Sequence, residues 1–349
     1  MKVRRHSEFY NFIGCKESGV TFRWGKNLDD DPLYAPWPEL VDISISNHCT
    51  RECSHCYRDS KDNRSFMRTT DYEYILECLN HPRWGNVFQV ALGGGEPLEH
   101  PDFIDIIEIT DSFGVIPNFT TNGIHLNEKI IESIRGKVGA VAVSINCMEE
   151  FNRSQLNPLL ESGIKTNIHF ILSKNSIGQA VEILNGVYDE LLSGLNGIIF
   201  LTYKPAGRAH QRDCLSWDCN LKEFVKLIDN YTGTIRIGFD ACFVPILLHL
   251  TNTDVKFIDP CECAFFSVYI DENLNVKPCS FTNTQHHTFN LRENSFQTIW
   301  EEKFDVYRRS SINQCARICK NTNNCRGGCP FFEEINLCYT SSKQEQIEL

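Results

Sequence analysis

The sequence lacks any apolar run near the ~20 residues that a membrane-spanning helix needs. Its longest candidates, Val138–Ile145 and Phe243–Leu250, have the length of core elements, and a helical membrane span is excluded. No apolar h-region or small-residue cleavage site follows the basic opening Met1–His6. The expectation is therefore a cytoplasmic protein in a reducing compartment. An excess of positive charge is also missing: 34 Lys and Arg against 45 Asp and Glu give a net charge of −11. That is the reverse of a nucleic-acid footprint, so no nucleic-acid or membrane partner is expected. Neither an internal repeat nor a low-complexity tract is present, and 42% hydrophobic with 23% charged residues is ordinary globular usage.

Cysteine is abundant instead, with 17 in 349 residues. In a reducing compartment such cysteines serve as metal ligands or reactive groups rather than disulfides. From Val41 onward, strand-length apolar runs at 41–47, 87–92, 115–120, 139–145, 165–172 and 197–203 alternate with helical periods at 70–80, 101–112, 127–135, 151–162, 176–192 and 220–231. The pattern predicts an α/β fold, a partial (β/α)6 barrel, with ligands at the carboxyl ends of its strands. Beyond residue 234 the alternation stops and nine cysteines follow. The expected division is a lead-in over 1–40, with a possible hairpin around Gly19–Gly25, a barrel over 41–234, and a small cysteine-rich C-terminal domain over 235–349.

Cys49, Cys53 and Cys56 stand in a Cys-x3-Cys-x2-Cys arrangement just after the first barrel strand. Three thiolates can surround one metal centre yet leave a position open, whereas a four-iron cluster normally takes four cysteines. A structural zinc borrowing His48 or His55 is the alternative on spacing alone. With the aromatic Tyr57 behind it, this arrangement resembles the signature of the radical S-adenosylmethionine (radical SAM) enzymes, and Gly94-Gly95-Glu96-Pro97 at the end of the second strand resembles that family's second motif. The resemblance implies a 4Fe-4S cluster on the three cysteines, S-adenosylmethionine on its open iron, and a methionine amine received near Gly94, Gly95 and Glu96. It further implies ribose and carboxylate contacts from Thr120–Gly123, Asn122 included, and from Ser144–Asn146, a carboxylate-binding Arg153, and Tyr57 against the adenine. Each of these is also open to a plain packing or loop role.

Eight further cysteines, Cys261, Cys263, Cys279, Cys315, Cys319, Cys325, Cys329 and Cys338, amount to two sets of four. The run Cys325-Arg-Gly-Gly-Cys329 is similar to the SPASM extension of peptide- and protein-modifying radical SAM enzymes. That likeness implies two auxiliary clusters, an inner one on Cys261, Cys263, Cys279 and Cys329 and an outer one on Cys315, Cys319, Cys325 and Cys338. Three features depart from it: three residues rather than two between Cys315 and Cys319, Leu274 where the extension has glycine, and the closeness of Cys261 to Cys263. Two zinc sites are the alternative reading. Gly207-Arg208 matches a loop of the same enzymes that borders cofactor and substrate. Cys15, Cys78, Cys214, Cys219 and Cys242 are read as small hydrophobes, as is Cys147, with a reservation for its place at the mouth of the fourth strand.

The resemblance implies an enzyme that cleaves S-adenosylmethionine reductively and matures a peptide or protein by crosslinking, thioether formation or epimerisation. It implies an electron-donor protein such as flavodoxin or ferredoxin as partner. Sulfatase-maturase-like protein oxidation, a small-molecule substrate, or a zinc-stabilised scaffold are the rival readings. No side chain is singled out as acid, base or radical donor.

Overall fold

A computed structural model describes residues 2–312, 319 and 321–338; Cys315 lies outside them. Strands β4 (Leu40–Ser46), β5 (Gln89–Gly94), β6 (Ile116–Thr121), β7 (Ala140–Ile145), β8 (Lys165–Leu172), β9 (Gly197–Thr202) and β10 (Ile237–Phe239) follow one another in space in chain order, all parallel. This single direction of winding is that of a barrel; a doubly wound sheet would reverse its order midway. It is the partial-barrel α/β fold that the alternation predicts, and it sends every loop that follows a strand to one mouth.

The strands read as they do because each has two different faces. In β4, Val41, Ile43 and Ile45 are buried beneath helices, while Asp42, Ser44 and Ser46 point to the other face. In β8, Thr166, Ile168, Phe170 and Leu172 are buried, and Asn167, His169 and Ile171 take the inner side. Helices α1 (Thr69–Cys78), α2 (Phe103–Ser112), α3 (Glu128–Ile134), α4 (Arg153–Glu161), α5 (Ile177–Leu184), α6 (Asp189–Leu192) and α7 (Cys219–Asp229) fill the intervals. Asn127, Asn152 and Asp218 cap α3, α4 and α7 by accepting the backbone N–H of Ile130, Gln155 and Leu221. The helical period over 176–192 is broken into α5 and α6 at Gly186, whose φ is +79°.

Two features were not legible in the alternation. The lead-in forms a three-stranded antiparallel sheet of β1 (Lys2–His6), β2 (Asn11–Cys15) and β3 (Thr21–Trp24), so the expected hairpin is the β2–β3 connection. Moreover, β11 (Ser267–Ile270) lies parallel to β4 and extends the barrel sheet, followed by antiparallel β12 (Asn275–Lys277) and β13 (Phe289–Asn290). The cysteine-rich region is thus hydrogen-bonded directly to the strand that precedes Cys49. Buried Arg326 strengthens the tie: it donates to the carbonyls of Cys261 and Leu33 and lies over the Phe265 ring, 3.9 Å from its centroid. Among the described residues no helix is long and apolar enough to cross a membrane.

Candidate active site

At the mouth, the loop 47–66 carries Cys49, Cys53 and Cys56, all part-buried. It is held on several sides. Gly95 N–H donates to the Ser46 carbonyl at 2.7 Å and Glu96 N–H to the His48 carbonyl at 2.9 Å, stitching the end of β5 to the start of the cysteine loop. The glycines are required by this approach: a Cβ on Gly94 would stand 2.1 Å from the Ser46 oxygen, and one on Gly95 1.9 Å from the His48 oxygen. Gly94 also has φ +117°. These two positions serve the contact between two loops, a role that the second motif did not reveal by itself.

Glu96 is 1% exposed. Its carboxylate accepts from the Leu98 N–H at 3.1 Å, the Thr121 hydroxyl at 2.6 Å and the Asn122 N–H at 2.7 Å. Burial raises its pKa, and these donors oppose the rise. Of the roughly four acceptor sites of a carboxylate, three are taken, leaving one. Glu96 is therefore first a brace between the ends of β5 and β6. The Asn122 side-chain Nδ2 is buried without a hydrogen-bond partner, as is Asn146 Oδ1 at the end of β7. An unpaired donor and an unpaired acceptor of this kind, buried at the strand ends beside a cysteine loop, fit a polar ligand between them.

Arg208 clamps the cysteine loop from the far side. It donates through Nε to the Cys53 carbonyl at 2.8 Å, through NH1 to Asp59 and the Ser60 carbonyl, and through its backbone N–H to the Cys56 carbonyl. Gly207, at φ +61°, lets the two chains meet: a Cβ there would stand 2.4 Å from the Cys56 oxygen. Arg51, paired with Glu150 at 2.8 Å, lies beside Cys53 and Cys49. Burial pushes the Cys53 thiol up while Arg51 holds it down; burial likewise raises Cys49. Two guanidinium groups beside thiols that must ionise to bind iron suit the donor set to an anionic cluster. Arg51 was missed at the level of sequence, since nothing in its spacing sets it apart.

Three cofactor-contact expectations fare differently. Arg153 is the first residue of α4, but its guanidinium donates to the Leu191 and Ser193 carbonyls and to Asn157. It braces the end of α6, and the structure does not bring it to the mouth. Tyr57 stacks on Phe281, centroids 4.4 Å apart, so its ring packs the first cysteine loop against the segment after Cys279. Ser144 lies on the inner face of β7, in register with His169. His48 places Nε2 3.2 Å from Glu99, which engages that nitrogen away from a fourth-ligand role.

A cavity of about 370 Å³ opens beside this loop. His55, Asn146, Cys147, Ile171, Tyr203 and Arg212 are among its walls, so Cys147 faces it and is no plain packing residue. The walls come from the ends of β7, β8 and β9 and from the cysteine loop itself, the place where a (β/α) barrel holds its substrate.

Behind Tyr203 and Ile171 lies the inner group of C-terminal cysteines. The thiols of Cys261 and Cys263 are hydrogen-bonded to each other, and those of Cys263 and Cys279 likewise; Cys261 also interacts with Cys329. Leu274 adopts φ +65°, so the backbone at the departing position keeps the left-handed turn that glycine would adopt with less strain. Farther out, Cys319 and Cys338 interact electrostatically with buried Cys325, whose thiol is pushed up to about 11 by burial. Arg326, Gly327 and Gly328 all have positive φ, and across this Arg-Gly-Gly turn Cys325 interacts with Cys319 and Cys338 while Cys329 interacts with Cys242. Asn336 fixes that turn by exchanging two hydrogen bonds with the Cys329 backbone. A neighbour not foreseen is His249, with Nε2 3.7 Å from Cys319 Sγ. Among the described residues no three or more His, Cys, Asp or Glu side chains form a group that would hold a single metal ion.

Residues 43–190 match the family model described as the radical SAM superfamily. The chain is 28% identical over 346 residues to the mycofactocin maturase MftC of Mycobacterium ulcerans, covering 86% of this chain and 83% of that one. It is 21% identical over 333 residues to MftC of Mycobacterium tuberculosis, covering 86% and 78%. The crystal structure of Streptococcus suis SuiB bound to its precursor peptide SuiA superposes with a TM-score of 0.71 at 15% identity, covering 94% of this chain and 95% of that chain. Barrel topology, cysteine loop and family match agree on a radical SAM domain over residues 43–190 of this chain.

Proposed function

We propose that the chain modifies a peptide at the mouth cavity by radical chemistry. The observation that carries this reading is the cavity, which is walled on one side by the cysteine loop and on the other by residues packed on the inner C-terminal thiols. The two relatives support the class of substrate, one a mycofactocin maturase and the other, SuiB, determined with a precursor peptide bound.

Cys49, Cys53 and Cys56 would hold a four-iron cluster with one iron open. When bound, that cluster and S-adenosylmethionine together supply a 5′-deoxyadenosyl radical that abstracts hydrogen from the substrate. The protein's own part is positioning. Gly94 and Gly95 admit the close passage of the cysteine loop, Glu96 fixes the end of β6, Asn122 Nδ2 offers a donor to a carboxylate or hydroxyl of the cofactor, and Arg208 holds Cys53 and Cys56 in place. The cavity excludes bulk water from a substrate side chain and seats it beside the loop.

In the C-terminal region, Cys261, Cys263, Cys279 and Cys329 are proposed to hold an inner auxiliary cluster, and Cys315, Cys319, Cys325 and Cys338 an outer one. The domain over 235–349 then serves electron transfer as well as structure, with a flavodoxin or ferredoxin as donor in the cytoplasm. A substrate radical that closes to a crosslink must give up an electron, and a cluster held by the inner cysteines would supply an acceptor for it.

The test is anaerobic reconstitution of the full chain followed by incubation with S-adenosylmethionine, a reductant and short peptides encoded beside the gene. The expected result is 5′-deoxyadenosine formation that rises with one such peptide, and a peptide product lacking two hydrogens for a crosslink. Epimerisation would instead leave the mass unchanged and introduce solvent deuterium. Iron-free protein, or cofactor cleavage indifferent to every peptide while a small molecule is converted, would overturn the reading.

A further inference from the structure

The inner auxiliary site contains a fifth thiol. Cys242 follows β10 in the short turn Ala241–Phe243 and was read from sequence as a small hydrophobe. In the fold it is drawn to the cysteines 19 or more positions further along. Its thiol donates a hydrogen bond to Cys329, and both belong to a buried patch with Tyr203, Phe281 and Ile171. Tyr203 and Ile171 also wall the mouth cavity, so Cys242 packs against a patch that shares residues with that cavity.

The surroundings distinguish it from an ordinary packed cysteine. Lys204, with a side chain only 7% exposed, pairs with Asp240 at 2.7 Å and donates to the Thr202 carbonyl. Its ammonium interacts with Cys242, Cys279 and Cys329. Cys214 makes the contrast: it is buried in the same patch, yet its charged neighbours are the carboxylates Glu334 and Asp213 rather than a buried lysine.

We propose that Cys242 is a ligand of the inner auxiliary cluster. Five thiols then serve four positions. Cys261 and Cys263 are separated by one residue, with their thiols in hydrogen-bond contact, whereas each corner of a four-iron cluster takes one thiolate. Occupation by Cys242, Cys263, Cys279 and Cys329 relieves that crowding and revises the inner set given above, with Cys242 in place of Cys261, which becomes the spare. The inference rests on the reading that this region holds a cluster at all.

The test uses full-length protein reconstituted without air, read by iron content and by the electron paramagnetic resonance of the reduced clusters. Wild type should hold about 12 irons, four per cluster. Cys242→Ala should lose up to about four of them or change the inner cluster's signal. Cys242→Ser, which keeps the size and supplies an oxygen ligand, should retain iron with shifted g-values or a shifted reduction potential. Cys214→Ser, in the same patch, should match wild type in both readouts, separating ligation from packing damage. Wild type near 12 irons with a Cys242→Ser signal indistinguishable from it would overturn this inference alone. Wild type that never exceeds about four irons would overturn both the auxiliary-cluster reading and this one.

Discussion

Replacing Glu96 should damage the fold of the mouth before it damages cofactor binding. Its three donors, Leu98 N–H, Thr121 Oγ1 and Asn122 N–H, converge on a carboxylate that is 1% exposed. Removing the carboxylate strands three buried groups, and each unsatisfied group costs about 1–3 kcal/mol. Glu96→Ala is thus expected to lose about 3–6 kcal/mol once partial access to water is allowed for, a large share of the ~5–15 kcal/mol of a typical domain. Glu96→Gln is the sharper test. Its amide oxygen can still accept from Leu98 and Thr121, but its NH₂ then meets the Asn122 N–H, donor against donor, for a loss of about 1–3 kcal/mol. Chemical denaturation of both variants measures these losses, and titration of the folded Gln variant with S-adenosylmethionine separates bracing from a direct hydrogen bond to the amine. If Glu96→Ala unfolds at the wild-type denaturant concentration, the bracing argument is wrong.

Gly95→Ala drives a Cβ to 1.9 Å from the His48 carbonyl, so a loss of about 1–3 kcal/mol together with weakened iron binding is expected by denaturation and iron assay; wild-type values for both would refute the close-approach role. Cys49, Cys53 and Cys56 replaced together by Ala should remove about four irons and abolish 5′-deoxyadenosine formation while the other clusters stay, and retained cleavage would contradict the assignment. Arg208→Lys keeps the charge but cannot reach Cys53, Asp59 and Ser60 at once, so reconstitution should become slower and less complete, with iron uptake as the measurement.

The barrel was legible because period-2 and period-3.6 patterns alternate cleanly: β8 was expected at 165–172 and is found at Lys165–Leu172. The cysteine loop and the Gly-Gly-Glu segment were legible because chemistry with few alternatives needs those residue types. What stayed hidden depends on contacts distant in sequence. Arg153 has the residue type of a carboxylate binder, yet helix geometry aims it at the Leu191 carbonyl. Tyr57 meets Phe281 across more than two hundred residues, and no local pattern encodes that. Cys242 was indistinguishable from a core cysteine until the end of β10 was set beside Cys329. The pairing of β11 with β4 stayed hidden as well, because hydrophobic pattern fixes a strand's faces and leaves its neighbour open.

The barrel interior leads to one more prediction, built on two titrating groups of opposite sense. Asp42 on β4 is pushed from 3.8 to about 7 by burial, with Glu262 adding to the rise. His169 on β8 is lowered from 6.5 to about 4 by burial, opposed by Asp240. Between about pH 4 and 6.5 the folded protein therefore holds a proton on Asp42 that the unfolded chain lacks, and stability from this group falls as pH rises. Over the same interval the unfolded chain holds a proton on its histidine that the folded protein refuses, and stability from His169 rises with pH. Each slope approaches 1.4 kcal/mol per pH unit, so in wild type the two nearly cancel. Asp42→Asn removes one arm: between pH 5 and 6.5 the stability of the variant relative to wild type should climb by about 2 kcal/mol. His169→Gln should show the opposite drift relative to wild type. Denaturation midpoints at each pH, taken without air, supply the differences. Parallel curves for wild type and Asp42→Asn would mean that Asp42 is ionised in the fold like an exposed carboxylate, and the inner face of β4 would have to be wetter than its burial indicates.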